Sequence, residues 1–89
     1  FAAPLMCTLR AWQPEDYCRA KLGRGALGSI DPSKMNVVGS SLALGHPFAA
    51  TGARIVATAA KLLKEKGSGR ALISICTAGG MGVVAIVER

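Results

Sequence analysis

The chain has 89 residues, 51% of them hydrophobic, with 11 Lys and Arg against 5 Asp and Glu and a formal net charge of +6. That length allows one small domain or a piece of a larger one. The basic charge is scattered and Phe1, Trp12, Tyr17 and Phe48 are the only aromatics, which argues against a stacking nucleic-acid groove, and no apolar run approaches the roughly 18 residues of a membrane span.

In chain order, residues 1–12 read as a helix or the end of one, with Leu5, Leu9 and Trp12 on one side. Gln13-Pro14 interrupts it, because the residue before a proline avoids the α region. A short second helix over residues 14–22 follows, its first turn holding Glu15 and Asp16, where the helix dipole favours acids. Residues 23–33 read as loop, and residues 35–38 as a short apolar stretch entering the turn Gly39-Ser40-Ser41.

Pro47 stands at or near the start of the longest helix, which runs to about Lys66 and stops at Gly67. Its expected apolar face is Ile55, Val56, Ala59, Ala60, Leu62 and Leu63, opposite a solvent stripe of Arg54, Thr58, Lys61 and Glu65. Residues 70–77 and 83–88 read as two strands around the turn 78–82, a terminal hairpin. Both strands are almost purely apolar, as strands buried on both faces are, so cover from a partner chain or from further sequence is expected. With half the chain hydrophobic and Phe1 in first place, a piece of a longer protein is the expectation.

Three cysteines, Cys7, Cys18 and Cys76, show no metal-ligand spacing, and their odd number fits a reducing compartment better than a disulfide framework. Cys7 and Cys18, in the helical part, read as packing residues. His46 is the only histidine, and a lone histidine is commonly structural. Its setting points further: Gly45 and Pro47 fix the backbone, and the helix that follows turns free N–H groups toward the site. Such a helix start favours anions and the neutral, proton-accepting form of an imidazole. Cys76 closes an apolar strand and would ordinarily be core, but Thr77-Ala78-Gly79-Gly80-Met81-Gly82 behind it allows close backbone approach and offers N–H donors to an oxyanion. Neither glycine-rich run has the Walker spacing or the strand-to-helix setting of a dinucleotide fingerprint.

The run Asn36-Val37-Val38-Gly39-Ser40-Ser41-Leu42-Ala43-Leu44-Gly45-His46-Pro47-Phe48-Ala49-Ala50-Thr51-Gly52-Ala53-Arg54 resembles the histidine signature of thiolases. Cys76-Thr77-Ala78-Gly79-Gly80-Met81-Gly82 resembles their C-terminal cysteine signature, and Phe1-Ala2-Ala3 is similar to the tail of their Asn/His-Glu-Ala-Phe-Ala motif. The segment up to His46, with Phe48-Ala49-Ala50, is most similar to the fatty-acid-oxidation branch, the trifunctional β-subunit type.

The resemblance implies an α/β fold, helices packed on a mixed sheet in layers, with residues 1–89 forming the C-terminal part of the C-terminal domain and the N-terminal domain lying outside this chain. It implies cleavage of 3-ketoacyl-CoA by CoA to acetyl-CoA and a shortened acyl-CoA, with coenzyme A as substrate and no cofactor. In that scheme His46 deprotonates a nucleophilic cysteine from the N-terminal half and helps hold the thioester oxygen, while Cys76 moves the second proton. The backbone N–H near Ala78 and Gly79 supports an oxyanion, and Phe1 lines the pantetheine channel.

It further implies a homodimer or tetramer, association with a multifunctional β-oxidation α subunit, and a cytoplasmic location in a bacterium or a mitochondrial or peroxisomal one in a eukaryote. Two departures stand out. Ser40 occupies a position usually held by a second glycine, and no residue here matches the nucleophilic cysteine, so the isolated chain is expected to be inactive. A biosynthetic acetyltransferase and a non-catalytic CoA-binding or assembly protein are the alternatives.

Overall fold

A computed structural model describes all 89 residues, in the order α1 (Ala2–Ala11), α2 (Glu15–Leu22), a 3₁₀ turn (Pro32–Lys34), α3 (Ser40–Leu44), α4 (Ala49–Lys66), β1 (Arg70–Cys76) and β2 (Gly82–Glu88). These fall into two units, Phe1–Leu44 and Gly45–Arg89.

The first unit is helical. Its centre is Cys18, which is fully buried and donates its thiol to the carbonyls of Ala11 and Trp12, both at 3.4 Å. The Trp12 carbonyl also accepts from the amides of Leu27 at 2.9 Å and Gly28 at 3.2 Å. One small side chain thus ties α2 to the end of α1, and a returning loop closes over the same corner. The packing role expected of Cys18 holds; Cys7 instead lies exposed on α1, because the half-buried side of that helix runs through Leu5 and Leu9. Gln13 separates the helices as expected, with Pro14 as the extended N-cap of α2 and Gly23 ending α2 in the left-handed region at φ +65°. Glu15 pairs with Arg19 one turn along on the exposed side.

Two short elements stand where the sequence reads as loop and turn. Asp31 caps the 3₁₀ turn, accepting from the Ser33 amide at 2.9 Å and the Ser33 hydroxyl at 2.8 Å. Helix α3 begins at Ser40, with φ +51°, behind Gly39 at φ +93°. A Cβ on Gly39 would come within 2.7 Å of the Ala43 Cβ, so only glycine fits there. Ser40 itself adopts positive φ, a region disfavoured for residues that carry a side chain.

The second unit is α/β. Helix α4 lies against one face of the antiparallel hairpin, whose register pairs Arg70 with Glu88, Leu72 with Ile86, Ser74 with Val84 and Cys76 with Gly82. Reciprocal amide–carbonyl bonds of 3.0 Å between Gly69 and Arg89 extend the ladder by one pair. The core is small: Leu63 of α4 and Ile73 of β1 are buried, with Thr51 near the helix start. Gly67 ends α4 as expected, at φ +92°, its amide bonded to the Leu63 carbonyl at 2.9 Å.

The face of α4 is rotated from the expected one. Thr51, Ile55, Thr58, Ala59, Leu62 and Leu63 turn inward to varying degrees, while Val56 and Ala60 are exposed. A run rich in alanine gives a weak periodic signal, and a threonine methyl packs as readily as a valine's, so hydropathy alone misplaces the centre of the stripe. The strands are likewise covered on one face only. Leu72, Val84 and Ile86, on the side away from the half-buried Ala71, Ile75, Ala85 and Val87, are exposed. No helix is long and apolar enough to cross a membrane.

Candidate functional site

The second unit carries both motif residues, and each is held by a different kind of contact. His46 precedes α4 across Pro47 and Phe48. Phe48 is the N-cap, at φ +39° and ψ −112°, a backbone conformation that side-chain-bearing residues rarely adopt. The amides of Ala50 and Thr51 bond back to the carbonyls of Pro47 and Phe48, each at 3.1 Å, and close the first turn. These two donors are therefore spent within the turn, and the helix start is not the open set of N–H groups expected from sequence.

What the turn achieves is a side-chain contact. The His46 Nδ1 lies 2.8 Å from the Thr51 hydroxyl oxygen, and Thr51 is only 2% exposed. The Phe48 ring meets the imidazole edge-on, centroids 5.6 Å apart and planes at 86°. Arg54, one turn further along α4, donates to the Gly45 carbonyl at 3.4 Å and ties the residue before His46 to the helix.

Cys76 ends β1 and is exposed, with Gly82 opposite it in the ladder. The turn that follows is closed by main-chain bonds: Thr77 N–H to the Met81 carbonyl and Met81 N–H to the Ala78 carbonyl, both 3.1 Å. Ala78, Gly79 and Gly80 run consecutively through positive φ, at +64°, +62° and +75°. This conformation turns the Ala78 N–H back onto the Cys76 Sγ at 3.4 Å. The turn thus sets a main-chain donor beside the sulfur of an exposed cysteine. In this structure the Ala78 amide is directed at sulfur, which differs from the free oxyanion donor expected from the sequence. Ala78 also accepts a left-handed backbone that costs an alanine about 1–2 kcal/mol relative to a right-handed one.

Of the sequence-predicted residues, Cys76, Ala78 and Gly79 are brought together in one turn, and His46 is gathered with Phe48 and Thr51. No hydrogen bond joins His46 to Cys76. Phe1 belongs to the first unit, fully exposed at the N-cap of α1. An open depression lined by Gly69, Arg70, Glu88 and Arg89 lies at the end of the hairpin opposite Cys76. Sequence reasoning missed Thr51. Its signal was available in principle: a threonine in the first turn of a helix, five residues after the only histidine.

Comparison with known proteins bears directly on this arrangement. The family described as thiolase, C-terminal domain, matches residues 15–89, which include the His46 and Cys76 segments. The 3-ketoacyl-CoA thiolase of Shewanella baltica (strain OS155) is 47% identical over 99% of this chain and 20% of its own length. The proteins of the same name from Yersinia enterocolitica and Vibrio cholerae are each 46% identical over the same shares. The chain thus spans about a fifth of the length of these relatives. No solved structure matches. With its α/β second unit and both signature segments inside the matched region, the chain belongs to the thiolase family, by way of that family's C-terminal domain.

Proposed function

We propose that this chain is the part of a 3-ketoacyl-CoA thiolase that supplies two of its three proton-handling groups. The observation that carries the reading is the pairing of a histidine held at a helix start with a cysteine held in a glycine turn, within a chain nearly half identical to proteins of that name. The reaction is acyl transfer between thioesters. A nucleophilic cysteine, contributed by sequence outside this chain, gives its proton to His46 and attacks the 3-keto carbonyl. The bond between the second and third carbons breaks, leaving the acyl group on that cysteine and a carbanion on acetyl-CoA. The Cys76 thiol protonates that carbanion and becomes a thiolate, and the Ala78 N–H stabilises the charge. CoA gives its thiol proton to the Cys76 thiolate and takes the acyl group, and the released cysteine recovers the proton held by His46, which restores the enzyme.

The diffuse basic charge and the exposed Phe1 are assigned to the CoA side of the complex, and Gly79 to the room the thioester needs beside Cys76. Degradation within fatty-acid oxidation is the favoured direction, since the relatives carry the degradative name. In a bacterium the enzyme acts in the cytoplasm, as an oligomer joined to the subunit that delivers its 3-ketoacyl-CoA. The isolated 89 residues do not turn over.

The test is acetyl-CoA formation from a 3-ketoacyl-CoA and CoA, measured for the full-length protein and for residues 1–89 alone. Turnover by the first and none by the second is expected. CoA binding by the full-length protein without acetyl-CoA formation would replace this reading with the non-catalytic one.

A further inference from the structure

The geometry points to Thr51 as the positioning residue of His46, the group that holds the imidazole by Nδ1 and leaves Nε2 as its working nitrogen. This inference rests on the catalytic reading of His46 given above. The contact is short, at 2.8 Å, and Thr51 is 2% exposed, so water does not compete freely for its hydroxyl. The hydroxyl sits on the first turn of the 18-residue helix α4, which packs on β1 and buries Leu63. The Phe48 ring edge limits rotation of the imidazole on another side. A ring fixed at one nitrogen and packed along an edge has little orientational freedom left to lose when substrate arrives.

The residue type matters as much as its place. A carboxylate at this position would accept only, and would fix the ring as the Nδ1–H tautomer. A hydroxyl both donates and accepts. When Thr51 accepts from Nδ1–H, Nε2 carries a lone pair and can take a proton. When Thr51 donates to Nδ1, Nε2 bears the hydrogen and can hold a thioester oxygen. In the first arrangement both duties assigned to His46 follow in turn, since the Nε2 that takes the cysteine's proton then bears the hydrogen that holds the thioester oxygen, with no movement of the ring. Serine preserves this property, and valine, nearly the same shape, removes it.

The experiment uses the full-length protein with Thr51→Val and Thr51→Ser, and histidine-labelled nitrogen NMR in which His46 is assigned by its loss in His46→Gln. Thr51→Val is expected to lower kcat by about 10–100-fold, the usual cost of removing a group that orients an active side chain, with KM within about 2-fold. Thr51→Ser restores kcat to within about 3-fold of wild type, since its hydroxyl keeps both hydrogen-bond roles. In the spectra, Thr51→Val moves the Nδ1 resonance of His46 more than that of Nε2. The inference is overturned by unchanged kcat in Thr51→Val, by a serine variant as impaired as the valine one, or by an unmoved Nδ1 resonance. A wild-type protein without thiolase turnover would defeat the functional reading instead, and the Nδ1 resonance would still decide the role of Thr51.

Discussion

His46 and Cys76 occupy the same unit yet are secured in opposite ways. The histidine is held by side chains, the Thr51 hydroxyl and the Phe48 ring, projecting from the start of a long helix. The cysteine is held by main chain, a single Ala78 N–H turned toward sulfur by three consecutive positive-φ residues. Side-chain support is specified by residue identity at one position. Main-chain support is specified by conformation, so it survives any side chain that tolerates the turn. An alanine at position 78 therefore keeps the donor.

The two kinds of support should fail differently. Among changes to these supports, the largest effect is expected on the histidine side, where the loss of one hydroxyl in Thr51→Val lowers kcat without unfolding the chain. The cysteine side should yield to backbone changes. Gly79→Val places a β-branched residue at φ +62° and is expected to cost roughly 1–3 kcal/mol, seen in chemical denaturation, while displacing the Ala78 donor from sulfur. Ala78→Gly should act in the other direction. Relief of the left-handed strain, less the extra freedom of glycine in the unfolded chain, gives a gain of about 0.5–1 kcal/mol with the N–H retained. A loss of stability in Ala78→Gly would mean that the methyl group, not the conformation, secures the turn.

The smallest effect lies in the first unit and serves as a control for both. The Ser33 hydroxyl, and after it the Ser33 amide, hold the Asp31 carboxyl below its ordinary value of 3.8. A depressed folded value means that the carboxylate's contribution is full above the unfolded value and is lost as pH falls through the folded one. The cap should therefore persist at neutral pH and loosen below about pH 4. Asp31→Asn should flatten that acid response of the Ser33 amide resonance while leaving the His46 and Cys76 resonances in place.

Most of the second unit was legible in the sequence because its signals agree with one another. The stop at Gly67, the apolar strands and the glycine turn between them each point to the same element, and the hairpin register follows. The first unit was harder. Helix α3 spans only Ser40–Leu44 and opens on a serine at positive φ behind an obligatory glycine, so its residues carry turn chemistry and too few positions for a period. The 3₁₀ turn hides similarly behind Asp31-Pro32, a pair that reads as loop until the Ser33 bonds are seen. At the site, His46 and Cys76 stood out through their motifs, but Thr51 did not. Its relation to His46 spans the non-helical Pro47-Phe48 corner, where helical spacing rules do not apply. The direction of the Ala78 N–H was equally hidden, being a consequence of three dihedral angles and not of residue type.

The division of labour between the two residues can be measured by separating acyl exchange from carbon–carbon cleavage in the full-length protein. Exchange of labelled CoA into an acyl-CoA needs the nucleophile and the histidine but creates no carbanion. Cleavage of a 3-ketoacyl-CoA needs the second proton donor as well. Cys76→Ala should therefore retain exchange and lose cleavage by about 10²–10⁴-fold, whereas His46→Gln should lose both. Exchange and cleavage lost together in Cys76→Ala, or cleavage preserved in it, would contradict the assignment of Cys76 as the group that moves the second proton.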